Sequence, residues 1–375
     1  MKKRFLAFWI AILFCLSSCQ SPSQPQTGNP TSASPFSPSG TQVNSVEPYA
    51  DVRFLDITKV NGALDNSLIQ TLWFNESTKW PSQYEDTAHE ILELGMNPGL
   101  GVRNLHEQGI TGKGVNVAII DQNMVLDHPE FIGKIVKYFD VGTGQPADQG
   151  SMHGPAVTSL LVGENIGTAP GARVFYAAAP SWTGDAQYYA DALNWIVDEN
   201  GKLPKGDKIR VVSVSAAPSG PGSPFTAHND AWDAAVERAT QAGILVLDCT
   251  SNHGITAPCY YDLNDPDNVG KCTPGFPGMG SPALPGRIFI PTSYRTTAEE
   301  YSQGSFSYQY TGRGGQSWTV PYLSGVLALG WQIRPGLSNS QILDILFFSA
   351  HKTKDGLLII DPAAFIKMIE STNDQ

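Results

Sequence analysis

The sequence predicts an α/β fold in which a mostly parallel central sheet carries helices on both faces. From Gly114 onward, short runs rich in β-branched residues alternate with longer amphipathic stretches. The runs are apolar along their whole length, as expected for strands whose two faces are both covered. Polar residues follow the first and the fourth run, and functional groups gather at the carboxyl ends of parallel strands. A site is therefore expected at that edge of the sheet.

Each strand and helix of this fold has its own sequence signal. The apolar runs that predict strands are residues 115–120, 173–177, 211–215 and 244–247. Amphipathic or apolar stretches predict helices at residues 186–198, 229–242, 317–331 and 341–350. The third helix tolerates Pro321, because the N–H groups of a first turn have no acceptor within the helix. Ser338 and Gln341 have the spacing of a capping box and mark the start of the fourth.

Residues 1–18 are interpreted as an export signal. A basic start, Met1-Lys2-Lys3-Arg4, precedes an apolar run at 5–16 that is too short to cross a bilayer as a stable helix. The run leads into Leu16-Ser17-Ser18-Cys19, which resembles the bacterial lipobox. This resemblance implies that Cys19 is acylated and anchors the exported chain on the outer side of a bacterial cell membrane. The alternative is an ordinary signal peptide with an incidental cysteine.

The rest of the chain divides into three segments. Residues 19–47 contain mostly Ser, Pro, Gln, Thr and Gly, so they cannot bury enough apolar surface to offset chain entropy. They are predicted to form a disordered tether with a span of roughly 30 Å. Residues 48–96 form an N-terminal extension of unclear role, with a helix expected at 84–94 and a strand at 51–57. Residues 97–375 form the main domain.

The charge of the chain argues against nucleic acid as a partner. The formal net charge is −11, and it becomes −14 when residues 1–18 are removed, because that segment carries three cations and no acid. A surface that binds nucleic acid needs the opposite sign.

Three thiols remain if Cys15 leaves with the signal and Cys19 is acylated. Oxidation is permitted outside the membrane, and Cys259 and Cys272 flank a loop rich in Asp, Asn, Pro and Gly, so these two are expected to form a disulfide. Cys249 ends an apolar run and is expected to stay reduced. Metal binding is the rival interpretation, but no CxxC or histidine-rich spacing supports it.

Three residues that could carry catalysis stand at the predicted ends of elements. Asp121 directly follows the first strand, His153 precedes an apolar stretch, and Ser317 opens a helix. Each alone has a structural explanation, as an acid that ends a strand, a structural histidine or a helix N-cap serine. Their occurrence together, with Asn252 just past the fourth strand, is what predicts a site.

Four segments resemble those of subtilisin-like serine peptidases. The first is residues 112–121 with His128-Pro129, and the second is His153-Gly154 before residues 156–163. The third is residues 243–247 leading to Ser251-Asn252-His253-Gly254, and the fourth is Gly315-Gln316-Ser317 continuing to Ser324-Gly325. They stand in the order of that family, and the resemblance covers about residues 97–365. It implies a subtilisin-like fold and a serine endopeptidase that acts on proteins or peptides outside the membrane.

The resemblance assigns a role to each of these residues. Asp121, His153 and Ser317 are the expected catalytic triad, since a serine hydroxyl needs a base to take its proton and the carboxylate orients that base. Asn252 and the backbone N–H of Ser317 are the expected oxyanion hole. Ser215-Ala216-Ala217 is expected to bind an extended substrate as an added strand. This chemistry requires no cofactor, and structural calcium is left open.

The resemblance has exceptions next to each catalytic position. Gln122-Asn123 follows the aspartate where the family has Ser or Thr and Gly, and Pro155-Ala156 replaces Thr-His. Gln316 and Trp318 flank the serine in place of Thr and Met, and Ala217 stands in place of Gly. All proton-transfer groups are kept, yet each exception alters the surroundings that position them.

Two other functions fit the sequence less well. A non-catalytic binding or regulatory module on the same scaffold is the alternative, since fold alone does not establish function, but such a chain usually lacks a triad member. An esterase or lipase would use the same residue types, but no Gly-x-Ser-x-Gly elbow surrounds Ser317. Residues 48–96 do not resemble the family's usual inhibitory prodomain, so a role as a pro-segment is left open.

Overall fold

The computed structural model describes residues 40–60, 62, 64–280, 284 and 286–371. The α-helices are α1 Asn66–Thr71, α2 Glu85–Leu94, α3 Val102–Glu107, α4 His153–Val162, α5 Gln187–Lys202, α6 Asn229–Gln241, α7 Thr319–Ile333, α8 Asn339–Ser349 and α9 Pro362–Ser371. The strands are β1 Trp73–Asn75, β2 Asn116–Asp121, β3 Ile135–Asp140, β4 Arg173–Ala178, β5 Ile209–Val214, β6 Leu245–Leu247, β7 Thr256–Tyr260, β8 Thr273–Pro274, β9 Ile288–Pro291, β10 Arg295–Glu300, β11 Phe306–Thr311, β12 His351–Lys352 and β13 Leu358–Ile359. In this part of the chain, no helix combines the length and the apolar character needed to cross a membrane.

A five-stranded parallel sheet forms the centre of the fold. Its order is β3-β4-β2-β5-β6, so β2 lies in the middle. Every residue of β2 is buried, which matches a strand covered on both faces. The predicted α/β class and all four predicted strands are confirmed. The sequence does not predict the edge strand β3, because the exposed residues of this strand interrupt any apolar run.

Helices pack on both faces of this sheet, as predicted. On one face, α5 and α6 pack on side chains that include Ile120, Phe175 and Val212. On the other face, α4 and α7 pack on the layer that contains Ile119 and Val174. Successive residues of a strand point to opposite faces, so Ile119 and Ile120 belong to separate apolar cores. This double burial explains why the strands read as continuous apolar runs.

The predicted helices are present with ends shifted by a few residues. The hydroxyl of Ser338 accepts from Gln341 N at 3.3 Å, and Gln341 Oε1 accepts from Ser338 N at 2.9 Å, so the capping box of α8 is confirmed. Pro321 lies in the first turn of α7, also as predicted. Ser317 differs from its prediction, because it lies in a 3₁₀ turn, Gln316–Trp318, that precedes α7.

The N-terminal extension is built into the main domain. Strand β1 pairs antiparallel with β11, which pairs with β10 in a three-stranded sheet. Leu72 and Phe74 are buried in the apolar core that also contains Ile119. The helix expected at 84–94 is confirmed as α2. The extension therefore contributes part of the core on which α4 and α7 pack.

Two expectations near the start of the described chain are wrong. The strand expected at 51–57 is replaced by isolated bridges, because Phe54 has a φ of 61°, a left-handed conformation that interrupts extended backbone. The tether was expected to reach residue 47, but Val43 N donates to Asp56 O at 3.0 Å, and Val43 and Val46 pack against the core. The export signal and Cys19 lie outside the described residues.

A second five-stranded sheet, of order β12-β13-β9-β7-β8, holds the two cysteines expected to pair. Cys259 lies in β7, and Cys272 directly precedes β8. Both are buried thiols in this structure, and a side-chain hydrogen bond joins them. Burial, and then the contact with Cys272, raises the pKa of the Cys259 thiol well above its usual range. The disulfide itself stays a prediction.

We expect Cys259 and Cys272 to oxidise in the exported protein, because their thiols already contact each other. The bond closes a short loop and is expected to stabilise the fold by about 3 kcal/mol. Alkylation in denaturant, followed by intact-mass measurement of a chain that starts at residue 40, tests this. One alkylated thiol, Cys249, is expected before reduction and three after it. Three alkylated thiols in the unfolded, unreduced protein would contradict the pairing.

Candidate active site

Strand β2 and helix α4 bring Asp121 and His153 into direct contact. Asp121 is the last residue of β2, and His153 is the first residue of α4. His153 Nδ1 lies 2.7 Å from Asp121 Oδ1, and the two side chains are 20% and 2% exposed. A carboxylate in this position accepts the Nδ1 proton, which leaves Nε2 as the basic nitrogen of the neutral imidazole. The pair has the geometry of an oriented general base.

The electrostatic surroundings of His153 also suit a base. Burial lowers the pKa of His153, but the charge of Asp121 and the hydrogen bond to it more than offset this, so the pKa lies above its ordinary value. The imidazole is neutral only when the pH exceeds that pKa. An activity that needs neutral His153 therefore falls as the pH is lowered through the pKa.

Ser317 lies next to this pair in the fold. Its 3₁₀ turn contacts α4, the helix that begins at His153, and Ser317 itself is buried. Ser215 Oγ donates to Ser317 O at 2.7 Å, which fixes the turn against the end of β5. The structural explanation of Ser317 as an N-cap does not hold, because the N-caps of the turn and of α7 are Gly315 and Trp318, and no side-chain cap bond is present at either.

Asn252 lies in the loop between β6 and β7, beside the backbone of Gly220. A Cβ placed on Gly220 would come within 2.6 Å of Asn252 Oδ1, and the φ of Gly220 is +83°. Both the close approach and the backbone conformation require glycine at this position. The residues expected to form the triad, the oxyanion hole and the substrate strand thus follow β2, β5 and β6, begin α4, or lie in the turn before α7.

Comparison with known proteins identifies the family. The model of peptidase S8, the subtilase family, matches residues 112–359. The chain belongs to the subtilase family. Subtilisin NAT of Bacillus subtilis subsp. natto is 25% identical to it over 296 residues, which cover 72% of this chain and 71% of the relative. Subtilisin of Bacillus pumilus is 25% identical over 261 residues, which cover 64% of this chain and 86% of the relative.

Solved structures share the fold of this subtilase at low sequence identity. The A-subunit of the AB5 toxin from E. coli matches with a TM-score of 0.54 and 15% identity, over 72% of this chain and 98% of that chain. Fervidolysin from Fervidobacterium pennivorans, a keratinolytic enzyme related to subtilisin, matches with a TM-score of 0.52 and 16% identity, over 73% of this chain. The match spans 45% of the fervidolysin chain.

The exception at Gln122 has a structural role in this subtilase. Gln122 N donates to Asp121 Oδ1 at 2.8 Å, and Gln122 Nε2 donates to Ser181 Oγ at 2.8 Å. The carbonyl of Gln122 accepts a hydrogen bond from Tyr176. A Cβ on Gly154 would lie 2.7 Å from the carbonyl oxygen of Gln122 and 2.7 Å from the hydroxyl oxygen of Tyr176. The glycine therefore allows α4 to pack closely against these two residues. Gln122 thus helps to fix Asp121.

The exception at Gln316 links the turn that carries Ser317 to the start of β7, the strand that follows the Asn252 loop. Gln316 Nε2 donates to Thr256 O and Thr256 Oγ1, each at 3.2 Å. Thr256 Oγ1 also lies 2.7 Å from Thr319 Oγ1. The start of β7 is therefore hydrogen-bonded to residues on both sides of Ser317 in the sequence. Sequence reasoning missed this link, because Gln316 has no partner within its own segment.

The segment expected to bind substrate follows β5 and makes internal contacts. Ser215 contacts Ser317 as described above. Ala216 O accepts from Cys249 N at 2.9 Å, and Ala217 O accepts from Ser223 Oγ at 2.6 Å. A substrate N–H that binds Ala217 O must share this oxygen with Ser223.

The loop that leads to His153 is held by the turn between β10 and β11. Gly150 N donates to Tyr301 O at 3.0 Å, and Gln303 N donates to Asp148 O at 2.9 Å. A Cβ on Gly150 would overlap the Glu300 carbonyl, so the close approach requires glycine. No local sequence pattern could predict this contact between distant segments. It connects the sheet that contains β1 to the residues just before His153.

Glu300 and Asp127 form an acidic pair beneath this turn. Glu300 is buried at the end of β10, where Gly304 N donates to Oε1 at 3.1 Å. Burial, followed by the charge and hydrogen bond of Asp127, raises the pKa of Glu300 to about 7. The folded state therefore binds a proton here that the unfolded chain releases at lower pH. Stability from this proton is present at acidic pH and is lost as the pH rises to about 7 and above.

We expect Glu300→Gln to raise the Tm at pH 8 and to change it little at pH 5, because glutamine imitates the protonated acid at every pH. Thermal unfolding followed at the two pH values measures the difference. Glu90→Gln, on an exposed position of α2, serves as the matched control. An equal change in Tm at both pH values would contradict the assigned pKa.

Metal ligation has no candidate in the described part of the chain. There, no three His, Cys, Asp or Glu side chains are grouped so that they could hold a metal ion.

Proposed function

We propose that this subtilase is a serine endopeptidase that hydrolyses extracytoplasmic proteins or peptides through Ser317, His153 and Asp121. Family membership supports a serine peptidase with protein substrates in general. The observation that carries the finer assignment is the 2.7 Å contact of His153 Nδ1 with Asp121 Oδ1, with the Ser317 turn packed beside α4.

In this mechanism His153 Nε2 removes the proton of Ser317 as its Oγ attacks the substrate carbonyl carbon. Asp121 keeps the Nδ1 proton in place and stabilises the imidazolium that forms. Nε2 then protonates the leaving amine, the C–N bond breaks, and an acyl-enzyme remains. Water repeats the sequence with His153 as base and releases the acid product. The Asn252 amide and the Ser317 N–H bind the oxyanion in both steps.

The substrate backbone in this proposal adds as a strand along Ser215-Ala216-Ala217. These residues follow β5 directly and contact the Ser317 turn through Ser215, so a bound strand places its carbonyl near the nucleophile. Hydrolysis of a peptide library by a chain that starts at residue 40 tests the function. Cleavage products in the mass spectrum support an endopeptidase. Folded protein that binds peptides but cleaves none is a non-catalytic module instead.

The proposed location is the outer side of a bacterial cell membrane, with Cys19 as the lipid anchor. We expect Cys19→Ala to move the protein from the membrane fraction to the soluble fraction, because the polar tether cannot hold it at a bilayer without acyl chains. Fractionation and immunoblotting measure this, and Cys15→Ala is the matched control. Equal membrane fractions for Cys19→Ala and wild type would contradict the anchor.

A further inference from the structure

A buried carboxylate outside the proposed triad holds the loop that carries Asn252. We define residues 248–254 as the oxyanion loop. Asp248 Oδ1 accepts from Thr250 N at 3.0 Å and from Thr250 Oγ1 at 2.6 Å, and Asp248 Oδ2 accepts from Trp232 Nε1 at 3.2 Å. The Asp248 side chain is 1% exposed. A buried carboxyl group is costly unless its oxygens are hydrogen-bonded, and these three bonds supply the partners of Asp248.

His253 extends this network to the far side of Asn252. His253 Nδ1 lies 2.9 Å from Thr250 Oγ1 and 3.3 Å from Asp248 Oδ1. The single hydroxyl proton of Thr250 is donated to Asp248, so Thr250 Oγ1 accepts from His253 Nδ1–H. The hydrogen bond to Asp248 raises the pKa of His253. The resulting chain, His253 to Thr250 to Asp248, brackets Asn252 in the sequence.

Arg287 fixes the backbone of the same loop. Arg287 Nη2 donates to Thr250 O at 3.3 Å and to Ser251 O at 2.9 Å, and Nη1 donates to Thr256 O at 3.0 Å. Asn252 itself has no side-chain hydrogen bond to another described residue, and its amide packs on Gly220. The direction of the amide therefore depends on the backbone that these groups hold.

We propose that the hydrogen-bond chain of Asp248, Thr250 and His253 positions Asn252 for oxyanion binding, so that Thr250 and Asp248 are positioning residues for turnover. This inference rests on the proposed peptidase function. An oxyanion donor is effective only when it is held in place before charge develops, and a displacement of about 1 Å can cost about 100-fold in rate. Breaking this hydrogen-bond chain should lower kcat and leave substrate binding intact.

Thr250→Val tests this inference, because it removes the hydroxyl and keeps the shape of the side chain. We expect kcat about tenfold lower with KM little changed, and a similar loss in the rate of Ser317 labelling by a fluorophosphonate. Thr250→Ser restores the hydroxyl and should recover most of kcat. Thr240→Val, on an exposed position of α6, is the matched control. If Thr250→Val does not fold, Asp248→Asn is used as the second variant.

The decisive measurement repeats the substitution in an Asn252→Ala background. If Thr250 acts through Asn252, Thr250→Val lowers kcat in the wild type and adds little once the amide is gone. An equal loss in both backgrounds, or a rise in KM without a change in kcat, overturns the inference while the peptidase assignment stands. Wild type that neither cleaves peptides nor takes the label overturns the proposed function, and the inference falls with it.

Discussion

Ser317→Ala is expected to abolish peptide hydrolysis, with kcat lowered by about 10⁶-fold, the magnitude known for subtilisin itself. The reason is geometric, because Ser317 lies in the turn packed beside the helix that begins with the oriented base His153. Without the hydroxyl, His153 and Asp121 have no nucleophile to activate. Hydrolysis of a peptide found by library screening measures the loss, and circular dichroism verifies the fold of the variant.

The same residue is expected to be the site of covalent labelling by a fluorophosphonate. His153→Ala should remove the labelling, because the hydroxyl is unreactive without its base. The triple variant should be scarcely worse than Ser317→Ala, since the three residues act as a unit. Ser338→Ala is the matched control, because Ser338 caps α8 and has no histidine base. Label on a serine other than Ser317, or unchanged labelling of His153→Ala, would contradict the assignment.

The parts of the fold that could be predicted are those in which one short segment determines its own environment. Strand β2 is buried on both faces, so its residues had to be apolar throughout, and Asp121 stands out at its end. The start of α8 is fixed by Ser338 and Gln341 alone. The order of Asp121, His153, Asn252 and Ser317 could be compared with a family without any knowledge of contacts.

The parts that could not be predicted depend on contacts between distant segments. Strand β1 is three residues long, and its pairing with β11 has no local signal. The bond from Gly150 to the turn after β10 joins segments that are far apart in the sequence. Asp248 and His253 have polar side chains of ordinary types, and only the structure shows that Thr250 connects them.

The exceptions to the family pattern show the same limit in another way. Gln122 and Gln316 alter the positions next to the aspartate and the serine, and the sequence alone predicts only that the surroundings of those two residues change. In the structure the backbone N–H of Gln122 donates to Asp121 and its side chain donates to Ser181, and the side chain of Gln316 donates to Thr256. Long amide side chains can replace the contacts of smaller residues when a partner lies within reach. Both glutamine side chains therefore make hydrogen bonds beside the residues proposed as the triad.

Asn252→Ala is expected to lower kcat by roughly 10²- to 10³-fold, the magnitude known for the oxyanion-hole asparagine of subtilisin, if Asn252 has the role proposed for it. The amide donates to an oxygen that carries full charge only in the tetrahedral intermediate, so its removal affects the transition state far more than the bound substrate. KM should therefore change little. Steady-state kinetics on one peptide separate the two constants.

Asn264→Ala, on an exposed position of a loop outside the site, controls for loss of an asparagine as such. The rate of phosphonylation of Ser317 should fall together with kcat, because that reaction also passes through an oxyanion. A large rise in KM with unchanged kcat would mean that Asn252 binds the substrate rather than the transition state. In that case Gly220, which lies against the Asn252 amide, would belong to a substrate contact instead of an oxyanion hole.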